Sequence, residues 1–313
     1  MWSFIVMRIL QTIPVLIGIS FVVFALLLFS PGDPAVINLR AILNSEHPPQ
    51  EAIAAMRIEM NLDKPWYIQY GSWLCRVLSG DLGYSYQSRR STVEEIGRAF
   101  PVTLILSTLA MGISCIFAIP LGILAGVRQN SLIDHLTRVL SIIGLSIPDF
   151  FIGILGIMCF SIYLNWLPVA GYEGFEYLIL PAFALAVGMS AISMRLMRTS
   201  MAEVLEEEYI RTAIAKGLSR YQVITRHALK NAMIPVITYM GTQYGWLFGG
   251  AMIIESLFAI PGLGRLMVES ASTRDIMVLQ GCVLVFALVF VFINLGIDIV
   301  QYAWDPRGRV DNE

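Results

Sequence analysis

Residues 200–231 read SMAEVLEEEYIRTAIAKGLSRYQVITRHALKN, a charged island between two long apolar runs. The flanking runs are apolar enough to sit in a bilayer, so the island belongs in water. Its pattern predicts two capped amphipathic helices. Ser200 with Glu203, and Ser219 with Gln222, have the spacing of capping boxes, in which side chains satisfy early backbone N–H groups. Gly217 is placed to end the first helix, because glycine takes the left-handed cap at no steric cost. Ile210, Ala213, Ile214 and Leu218 recur at helical spacing, followed by Tyr221, Ile224 and Leu229. An ordered hairpin between two membrane spans is a device for touching another protein.

Composition leads to the same class. The 313 residues are 57% hydrophobic and 14% charged, with a mean hydropathy of +0.70. Soluble domains carry about 25% charged residues. The net charge of −2 and the absence of a basic stripe exclude a nucleic-acid partner. His47, His135 and His227 are scattered, and Cys75, Cys115, Cys159 and Cys282 have no paired spacing, so neither a metal cluster nor a disulfide framework is expected. Cys115, Cys159 and Cys282 read as small buried hydrophobes. No Gly-x-x-x-x-Gly-Lys-[Ser/Thr] loop, His-Glu-x-x-His helix or nucleophile elbow occurs. No catalytic residue, metal ligand or cofactor is therefore assigned to this chain.

Hydropathy predicts six spans, over about 9–29, 101–126, 140–164, 178–197, 234–255 and 279–304. The first is longer than the apolar core of a signal peptide and reads as a retained anchor. Basic residues orient the chain. Arg8, Arg128, Arg138, Arg198, Arg211, Lys216, Arg220, Arg226, Lys230, Arg307 and Arg309 fall on one side, whereas loop 165–177 has Glu173 and Glu176 and no Lys or Arg. The expected fold is an all-α polytopic membrane protein with six transmembrane helices. Both termini and a helical hairpin are cytoplasmic, and a long helical extracytoplasmic segment follows the first span. The divisions are an anchor at 1–30, an external segment at 31–98, a membrane core at 99–304 containing the loop 200–231, and a tail at 305–313. The external segment carries seven Lys and Arg, against the orienting rule, but loops longer than about 60 residues cross largely regardless of charge.

Within the external segment, Pro48-Pro49 opens a helix with Ile53, Met56 and Met60 on one face. Pro65 opens another bearing Tyr67, Tyr70, Leu74, Val77 and Leu78, with Trp66 and Trp73 nearby. These helices read either as residents of the headgroup region or as a docking surface for an external binding protein; the two readings are compatible. In span five Gly241, Gly245 and Gly249 recur every fourth residue, which permits close helix approach, either inside this chain or against a second subunit. Asp298, in span six, is an ionisable group at membrane depth, with Asn294 one turn earlier as a hydrogen-bond partner. Glu255 ends span five before the turn Pro261-Gly262-Leu263-Gly264, a structural corner or an outer gate. Arg195 and Arg198 read as snorkelling side chains, and Met189, Met194, Met197 and Met201 as packing rather than soft-metal ligands.

The run Glu208-Tyr209-Ile210-Arg211-Thr212-Ala213-Ile214-Ala215-Lys216-Gly217-Leu218 resembles the coupling loop of ABC-importer permeases of the peptide/nickel family. Gly32-Asp33-Pro34, Ser146-Ile147-Pro148, the run from Arg226 to Ala232, and Glu255 through Gly264 match in the family's order. The leading acid of the broader importer motif is replaced by Arg211, a departure the peptide/nickel branch shares. The resemblance implies ATPase coupling through Glu208, Tyr209, Arg211, Thr212, Ala213, Lys216, Gly217 and Leu218. It implies a translocation path or gate at Gly241, Gly245, Gly249, Glu255, Pro261, Gly262 and Asp298. It further implies a second homologous permease in a heterodimer, two ABC ATPase subunits carrying ATP and Mg, an extracytoplasmic substrate-binding protein, and a place in the bacterial inner membrane. Dipeptides, longer peptides, nickel and metal chelates are all cargoes of that family. Two alternatives stand beside it: an ion-coupled transporter or channel, which predicts interrupted helices in inverted repeats, and a scaffold that anchors an ATPase without moving cargo.

Overall fold

The computed structural model describes residues 2–29, 32–43, 45, 47–85 and 87–304. The expected tail at 305–313, with Arg307 and Arg309, lies outside them. The chain is predominantly helical, and it divides into two compact units, Met1–Thr103 with Pro261–Val291, and Leu104–Ile260 with Phe292–Glu313.

In the first unit, α1 (Trp2–Phe29) leads through Gly32-Asp33 into α2 (Pro34–Leu43), α3 (Gln50–Glu59) and α4 (Trp66–Leu78). Asp33 explains the start of α2. Its carboxylate accepts from the Ala35 N–H at 3.0 Å and from Arg57 Nε at 2.7 Å, tying α2 to α3. Pro49 and Pro65 stand at the N-caps of α3 and α4, as their spacing predicts. On α4 the inward face is Tyr70, Trp73, Leu74 and Val77, packed on Ile19, Val23 and Phe24 of α1 and on Val283. Trp73, expected only as a neighbour, is at the centre of this cluster, while Tyr67 and Leu78 point outward. The aromatic side chains therefore anchor α4 to the first span, and Ser20 Oγ and Tyr70 OH share a hydrogen bond of 2.8 Å.

A short antiparallel ribbon, β1 (Tyr84–Ser85) with β2 (Arg90–Ser91), departs from the all-α expectation. The Ser85 hydroxyl donates to the Asp275 carboxylate, which joins the ribbon to the loop between α12 (Leu263–Thr273) and α13 (Ile276–Trp304). Burial raises the Asp275 carboxyl above its ordinary value, and the Ser85 hydrogen bond opposes that shift.

In the second unit α8 (Glu176–Glu206) is the hub, with α6 (Leu132–Ser146), α7 (Asp149–Gly156) and α11 (Leu229–Leu257) all packed on it. Its membrane stretch is 61% buried, against 11% for α1. Small residues make this possible: Ala182, Ala184, Ala186 and Ala191 are buried along α8. α5 (Thr92–Val127) approaches α8 closely. A Cβ on Gly122 would lie 2.6 Å from Met197 Cβ and 2.8 Å from the Met194 carbonyl, and one on Gly126 would lie 2.7 Å from the Arg198 carbonyl. All four methionines of α8 in question are buried here, as the packing reading expected. Gly122→Ala is expected to cost about 1–3 kcal/mol through overpacking. Gly112→Ala, on the same helix with no atom within 4 Å of the new methyl, should stay within about 0.5 kcal/mol. Thermal inactivation of the two purified variants checks the contrast.

Among the described residues, four helices, within Val6–Ala25, Thr92–Val127, Glu176–Glu206 and Ile276–Gln301, are long and apolar enough to cross a membrane. The count becomes five if Leu132–Ser146 and Asp149–Tyr163, bent by 98°, form one broken span. The third expected span, 140–164, corresponds to that pair. Pro148, which has no N–H, and the extended Ile147 make the break, and α7 continues as a π-helix over Ile157–Tyr163. The fifth expected span lies inside α11, 29 residues long but not among the four.

Candidate functional site

The charged island folds differently from the two capped helices its pattern predicts. Ser200 is buried in mid-helix, because α8 continues unbroken to Glu206. The break falls instead at Glu207, whose extended backbone (ψ 147°) precedes α9 (Glu208–Ala215), and no side chain caps α9. The second cap is present as expected: Ser219 Oγ accepts from the Gln222 N–H, and Gln222 Oε1 accepts from the Ser219 N–H. That cap opens α10 (Arg220–Gln222), which runs through a π-helical stretch, Val223–Ala228, into α11. The second arm of the hairpin is thus continuous with the long helix α11. The π-stretch covers the Arg226-His227-Ala228 segment, a local widening often found at functional sites and invisible in hydrophobic periodicity.

Gly217 has φ +83°. The Leu218 N–H bonds to the Ala213 carbonyl at 3.4 Å and the Gly217 N–H to the Ile214 carbonyl at 2.9 Å, the paired bonds of a Schellman motif. Ile210 and Ala213 are buried against Met197, Met201, Val223 and Ala228. Tyr209 and Leu218 flank that cluster, and Asn231 Nδ2 donates to Tyr209 OH at 2.7 Å, tying α9 to the foot of α11. Ile214 and Tyr221, expected on the inner face, are instead 58% and 76% exposed. They share the outer surface with the exposed Glu208, Arg211, Thr212 and Lys216. A cavity of about 730 Å³ adjoins the hairpin, lined by Val127, Arg128, Leu205, Ile214, Leu218 and Arg220 among others.

Beside the hairpin is a cluster that sequence reasoning missed. Asp134, in the first turn of α6 ahead of its apolar run, is fully buried. Arg138 Nη2 donates to Oδ2 at 2.5 Å, Arg198 Nε to Oδ1 at 2.9 Å and Arg198 Nη2 to Oδ2 at 3.1 Å, and the Asn130 N–H adds a bond of 2.9 Å. Arg198 therefore does not snorkel; it clamps α8 to α6. Hydrogen bonds from Arg138 and then Arg198 hold the Asp134 carboxyl well below the usual carboxylate range. The i,i+4 spacing of Asp134 and Arg138 was the available signal; the third partner, 64 positions away, leaves none.

The remaining predicted residues are dispersed. A Cβ on Gly241 would meet Ile297 Cγ1 at 2.5 Å, so this glycine serves packing between α11 and α13. Gly245 is buried, whereas nothing lies within 4 Å of the Gly249 position. Glu255 is buried near the end of α11 and Asp298 half-buried on α13, and both are engaged with neighbours. The corner begins earlier than expected. Helix α11 stops at Leu257, Ala259 takes a left-handed φ of +52°, and Gly262 N-caps α12 after the exposed Pro261.

Sequence relationships give the class. Residues 118–310 match the binding-protein-dependent transport system inner membrane component, and residues 1–107 match the N-terminal model of the same component. The chain belongs to that family. It is 40% identical over 309 residues, 99% of each chain, to the glutathione transport system permease protein GsiC of Escherichia coli O6:H1 (strain CFT073), and equally to GsiC of Salmonella typhimurium (strain LT2). An inward-facing structure of the MetNI methionine ABC transporter shares the fold, with a TM-score of 0.54 at 17% identity over 67% of this chain and 96% of that one. The chain is accordingly a multi-pass permease subunit of an ABC importer. Hydrolysis of ATP belongs to a separate subunit, and the family works with a partner permease, ATPases and a substrate-binding protein.

Proposed function

We propose that this permease moves short peptides inward across a bacterial cytoplasmic membrane, as one half of a heterodimer. The observation that carries the cargo is the 40% identity to glutathione permeases along the whole chain. Glutathione is a tripeptide, so peptide cargo takes precedence over nickel and metal chelates. Six crossings with cytoplasmic termini are proposed, the broken pair and α11 supplying the two beyond the four apolar helices. ATP and Mg bind the ATPases, and this chain binds no cofactor.

The hairpin is proposed as the ATPase seat. Its inner face is consumed by Ile210 and Ala213, which leaves Glu208, Arg211, Thr212, Lys216, Ile214 and Tyr221 outward for a groove on the partner. Because α9 is pinned to both α8 and α11, closure of the ATPase pair would move two spans together. On the membrane side, the open Gly249 position supports a seam with the second permease there, with Gly245, Glu255, Pro261, Gly262 and Asp298 along the route or its gate. The interrupted α6–α7 pair is the one feature the ion-coupled alternative predicts, but family membership places the chain among ATP-driven importers. Proteoliposomes holding both permeases, the ATPases and the binding protein are expected to accumulate labelled tripeptide only with ATP, and to keep doing so when ionophores collapse ion gradients. Uptake that follows the gradient without ATP would overturn the reading, and ATPase binding without uptake would leave a scaffold.

A further inference from the structure

Asp149 opens the second half of the broken pair, near the sequence midpoint between Ser131, the N-cap of α6, and Leu164, the cap of the π-stretch after α7. Read as one broken span, as proposed above, the pair places the carboxylate near its middle, at membrane depth. An ionised Asp at the centre of a membrane helix costs about 2.5–3.5 kcal/mol unless it meets a partner or water. Glu255 and Asp298 are engaged by neighbours. Asp149 is exposed and has no hydrogen bond or ion pair among the described residues. A break in backbone pairing at this depth is tolerated only where protein covers it or a wet cavity adjoins it.

A cavity does adjoin it, with a volume of about 590 Å³, walled by the break, by Leu185 and Gly188 of α8, and by Gln243 and Trp246 of α11. That is within the range of small-ligand sites, about 300–1,000 Å³. A Cβ on Gly188 would stand 3.0 Å from Asp149 Oδ1, so the glycine keeps the space beside the carboxylate open. Among the described residues, no Lys, Arg or His lines the cavity. A cationic ligand would supply the positive charge that this lining lacks. Gln243 adds an amide able to donate and accept, and Trp246 an aromatic face that favours cations.

We propose that Asp149 is a way station on the import route, holding the free α-ammonium group of a short peptide in this cavity while Gln243 pairs with its backbone. The proposal rests on the peptide-importer reading above and adds the residue and the recognised group. It is tested on the assembled importer, with both permeases, ATPases and binding protein, using trialanine. Asp149→Asn is expected to lower ATP-driven uptake per copurified complex at least fivefold, and Asp149→Glu to keep half or more. Saturation-transfer NMR on the detergent-purified complex without binding protein should show trialanine contact several-fold above N-acetyl-trialanine, a difference that Asp149→Asn erases. If wild type takes up no peptide with ATP, the importer reading fails and the proposal with it. If wild type transports while Asp149→Asn stays within twofold, or the two peptides contact wild type equally, only the way station is overturned. Loss of copurification in Asp149→Asn would make Asp149 a subunit contact and overturn it as well.

Discussion

Gly217→Val is expected to reduce ATP-driven uptake at least tenfold in complexes matched for permease content, with weaker retention of the ATPase. The cause lies in the backbone alone. No atom stands within 4 Å of a Cβ placed on Gly217, so a larger side chain meets nothing. What it meets is φ +83°, a conformation that costs an L-residue about 1–2 kcal/mol and more when β-branched. Relief requires turning Gly217 out of the left-handed region, which breaks the bonds from the Gly217 and Leu218 N–H groups to the Ile214 and Ala213 carbonyls. Those two bonds set the angle between α9 and α10, the helix that Ser219 caps. A graded series separates this account from a simple contact role. Asparagine tolerates the left-handed region best among non-glycine residues and should retain most activity, alanine should be intermediate, and valine lowest. Equal activity across the series, with ATPase retention unchanged, would remove the hairpin from the coupling mechanism.

That glycine was legible because its chemistry is local: a cap needs only a few neighbouring residues to announce itself. The Ser219–Gln222 box was legible for the same reason. Ser200–Glu203 has the identical signature and is buried in α8, because the packing of Met197 and Met201 on Gly122 and Gly126 carries the helix past any local stop. Tertiary contact overrode a capping signal that is worth about 1 kcal/mol. The glycine stripe in span five was read from periodicity, yet the closest interhelical approach lies at Gly122 and Gly126 as well as at Gly241, and Gly249 faces open space. Spacing shows that an approach is possible; only the partner helix decides where it occurs. Ile214 shares the helical spacing of Ile210 and Ala213, but α9 is only eight residues long and one turn of Ile210 and Ala213 fills its inner contact. A single acid after Pro148 reads in sequence as the start of a helix, and the absence of a partner for Asp149 among the described residues is a fact of three dimensions.

Removing the carboxylate at Asp134 is expected to produce the largest loss of stability. The side chain is fully buried and accepts from two guanidinium groups and one backbone N–H. Breaking a buried ion pair by deleting one partner costs about 3–5 kcal/mol, because the other charge is left uncompensated. Here two cations would remain, but the Arg138 and Arg198 side chains are 46% and 25% exposed, and water reaching them places Asp134→Ala near the lower end, about 3 kcal/mol. Asp134→Asn keeps one acceptor oxygen but turns an NH2 donor toward the guanidinium groups, so it too should destabilise. The sign of the pH dependence follows from the lowered carboxyl: the stabilisation is complete above the ordinary aspartate value of about 4 and is lost only as pH falls below that, toward the folded-state value. Between pH 5 and 8 the clamp should therefore contribute equally, and the gap between wild type and Asp134→Ala should stay constant. Thermal inactivation in detergent at several pH values measures that gap. A second comparison separates a clamp from a solvated charge: Arg198→Met should destabilise by loosening α6 from α8, whereas Arg195→Met, on the exposed side of the same helix, should change little. If both arginine variants behave alike, the Asp134 cluster does not hold the two helices together, and movement of α8 under the hairpin would have no direct route to α6.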